Sequence, residues 1–244
     1  MSDALTIAIQ SMQNDLQRMD IISQNVVNSA TPGYRRALPV SQDFSTVLQN
    51  SAIPGEEHSL AISLPTVASV LDATAGAMKS TGQPLDLAIN GDGYFELTTP
   101  DGIAYTRAGN FHLDAGGRLV SQDGFAVNGR AGDIVTNGKT PIIAPDGTVT
   151  DGLNTVGQIR IVRFPNKARM ETRGNGLLAP TDKNAETDES NAQLQVGYLE
   201  NANVVPLNEM VNMMETSRHF ESQQKLFQGY DEQISTAIQK LGQF

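Results

Sequence analysis

Apolar residues return along the start of the chain at Leu5, Ile9, Met12, Leu16, Met19, Ser23 and Val26, in alternating steps of four and three. Ser23 is the one polar lapse, and Ile22 beside it supplies an apolar neighbour. A stripe of that period lies on one side of an α-helix. It predicts a helix from Asp3 to Asn28, roughly 39 Å long at ~1.5 Å per residue. The far end of the chain repeats the pattern through Met210, Met213, Ser217, Phe220, Gln224, Phe227, Asp231, Ile234, Ile238 and Leu241. One heptad position is apolar throughout (Met213, Phe220, Phe227, Ile234, Leu241), while the other alternates in character. Pro206 suits the first turn of this second helix, where a missing N–H costs nothing.

Between the two stripes the texture changes. From about Gly82 to Asn175 the chain is punctuated by Asn-Gly, Asp-Gly and Gly-Gly pairs, among them Asn90-Gly91, Asp101-Gly102, Gly116-Gly117, Asp123-Gly124, Asn128-Gly129, Asn137-Gly138, Asp146-Gly147 and Asp151-Gly152. Such pairs supply positive φ and close hairpins. The runs between them, such as "YFELTT", "FHLD" and "QIRIVRF", read as short strands, with Ile159 and Ile161 on one face. Residues 37–80 read as extended connection, and 166–190 as exposed loop with a hairpin. The expected fold class is therefore α+β in several parts. The N- and C-terminal helices pair as a coiled coil, and the middle is an all-β domain of short strands. The expected division is 1–36 plus 200–244 as one discontinuous helical domain, 37–80 as a connection, and 81–199 as the β domain.

The outward sides of the helices are rich in amides and hydroxyls rather than charge: Gln10, Gln13, Asn14, Gln17, Gln24 and Asn25, then Asn208, Asn212, Ser222, Gln223 and Gln228. A purely solvated face usually carries more charge. The pattern points to helices whose polar sides also meet other subunits. The assembly seam expected from spacing is Leu5, Ile9, Met12, Leu16, Met19 and Val26 with Met210, Met213, Phe220, Phe227, Ile234, Ile238 and Leu241.

Charge and composition narrow the function. The 244 residues carry a net charge of -10, which opposes nucleic-acid binding. The absence of Cys removes disulfides, thiolate catalysis and Cys-based zinc sites. Aromatics make up only 5% with no Trp, so the core must rest on aliphatic side chains and Met. Asp3, Gln10, Gln13, Asn14 and Gln17 stand where the apolar stretch of a cleavable leader would lie, so export without a cleaved signal peptide is the expectation. No apolar stretch of ~18 residues offers a membrane span.

Candidate chemistry fails on inspection. "NGKTP" (137–141) resembles the end of a phosphate-binding loop, but Asp133 occupies the place its first Gly requires. "SQQK" (222–225) lacks the companion motifs of acylating enzymes. His58, His112 and His219 are isolated, and no Asp-Gly pair sits in a calcium-loop pattern. The expectation is no enzyme, no cofactor and no metal.

Three segments carry a resemblance: "NVVNSATPGYRR" (25–36), a middle segment from Gly82 to Gly129, and "VGYLENANVVPLNEMVNMMETSRHFESQQKLF" (196–227). The first follows the first helix, with Pro32 and Gly33 at the inner positions of a type II turn. In their order along the chain the three resemble the flagellar axial proteins of the rod and hook class, the basal-body rod family. The matching positions are Asn25, Asn28, Thr31, Pro32, Gly33, Tyr34, Arg35, Gly197, Tyr198, Leu199, Glu200, Asn203, Val204, Glu209, Met210 and Arg218. The chain departs from the pattern at Val27, Val205 and His219. The resemblance implies a structural subunit whose terminal helices line a hollow shaft, with the β domain outside it. It implies partners among the other rod proteins and further copies of itself, and passage through the flagellar export apparatus. The region from Ala37 to Lys79 is short for a distal rod member, so the resemblance leans to the proximal rod. The distal rod, another paralogue and, more remotely, a carbohydrate-binding or enzymatic β domain with helical ends are the alternatives.

Overall fold

The computed structural model describes residues 2–41, 67–137, 140–164, 170–174, 176–181, 188–189 and 192–241. Helix α1 spans Ser2–Val27 and helix α2 spans Pro206–Leu241, within a residue of the bounds that the apolar spacing predicts. After α1 comes one 3-10 turn, Asn28–Ala30. The stop is local in origin. Gly33 has φ 68°, and Tyr34 N–H donates to the Thr31 carbonyl at 3.3 Å, closing a turn that Pro32 pre-sets. At the start of α2 the Val205 carbonyl accepts from the N–H groups of Asn208 and Glu209 at 3.0 and 3.2 Å. Glu209 places an acid in that first turn, where the helix dipole favours it.

The chain forms two compact units. One holds residues 1–26, 37–70 and 205–244; the other holds 27–36 and 71–204. The helical unit contains α1 up to Val26, α2 and most of a two-stranded sheet made by Ala37–Ser41 and Val67–Leu71. The sequence reading of 37–80 as a connection falls partly on residues 42–66, outside those described. Residues 27–36 cluster with the β unit rather than with the helices they follow. The reason is hydrogen bonding: Gly33 N–H donates to the Glu200 carbonyl at 2.7 Å, and Asp72 N–H to the Arg36 carbonyl at 2.8 Å.

Within the β unit a ten-stranded sheet has Tyr94–Thr99 at its centre, between Gly102–Thr106 and Ala126–Gly129, all antiparallel. A second small sheet comprises Ile142–Ile143, Thr148–Asp151 and Asn154–Gln158. The core gathers Leu87, Ile89, Phe95, Leu97, Leu119, Val127, Ile134, Val149 and Leu194, all fully buried. Phe95 and Phe111 meet edge to face with ring centroids 5.0 Å apart, a favoured aromatic geometry. Ile159 and Ile161 are both buried, as their alternation predicts.

Two of the glycine pairs differ from the expectation, and the first, Asn90-Gly91, ends the strand Leu87–Asn90, whose partner is Gln193–Val196 rather than the next strand. The second, Asn128-Gly129, is not a hairpin tip but the end of the strand Ala126–Gly129, and Gly132, with φ 121°, takes the left-handed position. The Asn128 amide is occupied across the sheet: its Nδ2 donates to Glu96 at 2.9 Å and its Oδ1 accepts from Thr98 at 2.7 Å. That pairing holds the dipeptide in the ladder. Gly138 of Asn137-Gly138 and Asn175 lie outside the described residues.

Two further pairings close the unit on itself. Gln193–Val196 pairs antiparallel with Leu87–Asn90, and Tyr198–Glu200 pairs antiparallel with Met78–Ser80, setting Glu200 opposite Met78. The chain's last strand is thereby laid beside its early strands, just before α2 begins.

Candidate functional site: a buried junction and two helix faces

Glu200 is 1% exposed, and its carboxylate is shared between two arginines. Arg35 reaches Oε1 at 2.8 Å and Arg107 reaches Oε2 at 3.3 Å, with both guanidinium side chains 6% exposed or less. Gly76 N–H also donates to Oε1, at 2.9 Å. Arg107 is further held by the carbonyls of Ile89 and Gly91, at 3.3 and 2.7 Å, and lies over the Tyr94 ring at 5.4 Å. Arg35 also donates to the Thr74 carbonyl. Buried charges persist only when they are paired and hydrogen-bonded, and this cluster pairs its charges through five separate stretches of chain, with Arg35 Nε and Arg107 Nε left without a partner among the described residues. Burial pulls the Arg107 guanidinium below its ordinary pKa, and Glu200 works in the opposite direction. Removing one partner of such a cluster costs on the order of 3–5 kcal/mol, because a charge is left unanswered.

Around that carboxylate the backbone is sewn tight. The Asn203 amide accepts from Arg36 N–H at 2.6 Å and donates to the carbonyls of Asp72 and Thr74, at 3.2 and 2.9 Å. Gly197, with φ 78°, donates to the Asp86 carbonyl at 2.8 Å and accepts from Thr81 N–H, also at 2.8 Å. A Cβ on Gly33 would stand 2.2 Å from the Ala108 nitrogen, and one on Gly76 would stand 1.8 Å from the Asn201 carbonyl. No larger residue fits at either place. Tyr34 and Val204 are buried, Asn28, Thr31, Pro32 and Leu199 are half-buried, and Tyr198 is exposed. Thr31 donates its hydroxyl to Asn28 at 3.3 Å. The motif residues on either side of the β unit's sequence thus converge on one place.

In the helical unit Asn25, fully buried, behaves as a piece of β-ladder: its Nδ2 donates to the Ala37 carbonyl at 2.8 Å and its Oδ1 accepts from Ala37 N–H at 2.9 Å. The same Nδ2 lies 3.4 Å from the buried Glu209 carboxylate on α2. Further along, His219 Nδ1 stands 2.6 Å from Asp15 Oδ2, and Gln223 donates to the Ser11 hydroxyl at 2.6 Å. Met12, Met19, Val26, Met213, Phe220 and Phe227 are half-buried. Ile9, Leu16 and Met210 are 43%, 52% and 50% exposed, and Arg218 is exposed as well. The side chains of Leu5, Ile234, Ile238 and Leu241 lie outside those described.

Spacing alone did not single out Arg107, Asp15 or the Thr74–Gly76 loop. Arg107 sits in the middle segment as one more charge after a strand, and nothing in its neighbours reveals its burial. Asp15 occupies a heptad position with Ile22 one step round from the apolar stripe, and its polarity hid it. His219, a departure from the family pattern, turns out to be its partner.

Three carboxylates besides Glu200, Asp72 at the edge of this junction and two away from it, are held below the usual carboxylate range by local donors. The Thr74 backbone N–H and hydroxyl do this for Asp72. The N–H groups and guanidinium of Arg118, with Gly116 N–H, do it for Asp114, and Thr148 does it for Asp146. Each closes a turn on itself. Among the described residues, no three His, Asp or Glu side chains come together in a way that could hold a metal ion. No described helix is long and apolar enough to cross a membrane.

Comparison with known proteins agrees with this geometry. Residues 88–159 match the family described as flagellar hook protein FlgE/F/G D1 domain, and residues 195–240 match the flagellar basal body rod FlgEFG protein C-terminal family. The first match covers the central strands Tyr94–Thr99, Gly102–Thr106 and Ala126–Gly129, and the second takes in the strand carrying Glu200 and nearly all of helix α2. The flagellar basal-body rod protein FlgG of Bacillus subtilis is 33% identical over 261 aligned positions, covering 96% of this chain and 97% of the relative. The rod protein FlgF of Caulobacter vibrioides is 31% identical, and that of Salmonella typhimurium 30%, each over 99% of both chains. With two helical ends, a β-rich middle and full-length similarity of this kind, the chain belongs to the flagellar basal-body rod protein family and is a structural subunit of the rod.

Proposed function

We propose that this rod subunit serves in the proximal rod, as an FlgF-type protein, and that α1 and α2 pair as a coiled coil and polymerise into the wall of a hollow drive shaft. The observation that supports the reading most directly is the exposed apolar surface on the helices. Leu207, Met210, Val211 and Met214, at spacings of three, four and seven, are 41–70% exposed on α2, and Ile9 and Leu16 form a second stripe on α1. Helical residues so spaced share a face, and an amphipathic helix is stabilised mainly by what that face packs against. Neighbouring rod subunits, whether copies or paralogues, supply that cover. The seam comprises the positions expected from the heptad pattern, the half-buried half (Met12, Met19, Val26, Met213, Phe220, Phe227) within the chain and the exposed half (Ile9, Leu16, Met210) between chains. Leu5, Ile234, Ile238 and Leu241 extend it toward the helix ends.

In this reading residues 1–36 and 200–244, less the stretches 27–36 and 200–204 that cluster with the β unit, act together as the assembly domain, 37–80 as the connection and 81–199 as the outer body. The chain acts as a scaffold rather than an enzyme. It leaves the cytoplasm through the flagellar export apparatus without a cleaved leader, and works in the rod that spans the periplasm. Membership of the distal rod, as an FlgG-type protein, is the alternative, since relatives of both names align over nearly the whole chain. Locating the tagged chain along isolated basal bodies decides between them: density next to the membrane-proximal end supports the proximal assignment, and density next to the hook overturns it.

A further inference from the structure

The two arginines of the buried junction are not held alike. Arg107 has three supports that do not involve residue 200: the Ile89 carbonyl, the Gly91 carbonyl and the Tyr94 ring. All three come from the strand Leu87–Asn90 and the residues that lead into the core strand Tyr94–Thr99. Arg35 has the Thr74 carbonyl and Glu200, and the loop that carries Thr74 is itself pinned by Glu200 through Gly76 N–H and by the Asn203 amide. One of the two partners of the Arg35 guanidinium is therefore Glu200 itself, and the other lies in a loop that Glu200 and Asn203 tie to the β unit, while Asp72 N–H joins that loop only to Arg36.

We propose that Arg107, Arg35 and the Gly76 amide form an internal carboxylate receptor whose ligand is Glu200, and that filling it is the step that seats residues 31–36 and 72–76 on the β unit. Arg107 is placed by the core. The strand Tyr198–Glu200 then pairs with Met78–Ser80 and delivers the carboxylate to it. Arg35 arrives last. Until then it would face Arg107, a like charge in a low-dielectric site, so the segment 31–36 stays free until the carboxylate is present. The positions from which the chain runs toward α1 and toward α2 are thereby fixed by one side chain, which acts as a positioning residue. The device follows from the β unit's own contacts and stands or falls independently of whether the helices polymerise.

Hydrogen exchange of the full chain tests this, read on peptides covering 30–38 and 70–78 and, as an internal control, 94–106. In Glu200→Ala the first two are expected to exchange at least about a hundredfold faster while the control is unchanged, since exchange follows the population of the locally open form. Acetate restores their protection, whereas chloride at equal ionic strength does not, because a carboxylate offers one oxygen to each guanidinium, as Glu200 does, and a chloride ion has no second acceptor atom. Glu200→Asp retains partial protection, and Arg35→Met opens the same two peptides with no response to acetate. Unchanged protection in Glu200→Ala, or equal effects of acetate and chloride, overturns the proposal. So does faster exchange in all three peptides of both Glu200→Ala and Arg35→Met, which would make the carboxylate a support for the whole unit.

Discussion

His219 Nδ1 lies 2.6 Å from Asp15 Oδ2, a hydrogen bond between helices whose residues are 204 positions apart in sequence. The Asp15 side chain is 8% exposed, whereas that of His219 is 59% exposed. An ionised carboxylate only accepts, so the imidazole donates from Nδ1. Replacing His219 by Ala leaves a buried carboxylate without this donor, and is expected to cost about 1–3 kcal/mol in the stability of the helical unit. Replacing both residues by Leu should recover most of that loss. Urea unfolding followed by far-ultraviolet circular dichroism measures the coupling, and additive single-site effects would show that the pair does not interact.

Leu16→Asp separates folding from assembly. Leu16 is 52% exposed in the single chain, so the substitution is expected to change the stability of the isolated protein by less than about 0.5 kcal/mol. In the rod the same position would carry a charge into an apolar contact. Expected results are a normal unfolding curve and loss of the chain from purified basal bodies. Incorporation at the parental level would remove Leu16 from the seam.

Two glycines of opposite character test the backbone argument. Gly33 has φ 68°, and an added Cβ would press on the Ala108 nitrogen at 2.2 Å, so Gly33→Ala is expected to destabilise the β unit by about 2–4 kcal/mol. Gly229 lies inside α2 with nothing within 4 Å of the Cβ position. Gly229→Ala is therefore expected to stabilise the helix by about 0.5–1 kcal/mol, seen as a higher midpoint of helix loss on heating.

Acid affects the β unit in a defined direction. Asp72, Asp114 and Asp146 are held below the ordinary carboxylate pKa by hydrogen bonds from their own turns. A carboxylate depressed in the folded state binds fewer protons there than in the unfolded state. Its contribution is fully present above the unfolded value of about 3.9 and is lost as pH falls through the lower folded value. Unfolding free energy should fall as pH drops below about 4, and Asp72→Asn, which cannot ionise, should flatten part of that slope. A slope unchanged by the substitution would show that Asp72 contributes nothing to it.

Much of the molecule was legible before any coordinates. The steps of three and four, Pro206, and the Pro32-Gly33 turn determined where both helices begin and end, because periodicity and φ preferences act within a few residues. The glycine-punctuated middle announced short antiparallel strands for the same reason, and Ile159 and Ile161 fell on the buried side as alternation requires. Only the tertiary structure decided that Asn128-Gly129 lies in a ladder rather than at a tip, that Asp15 meets His219, and that Arg35, Arg107 and Glu200 share one buried point. These outcomes depend on which distant segments are brought together. A charged residue looks the same in sequence whether water surrounds it or a counter-charge 93 positions away does, as Arg107 and Glu200 demonstrate. Local pattern sets the elements; the cost of burying charge, met only when the right partners arrive, decides how they are joined.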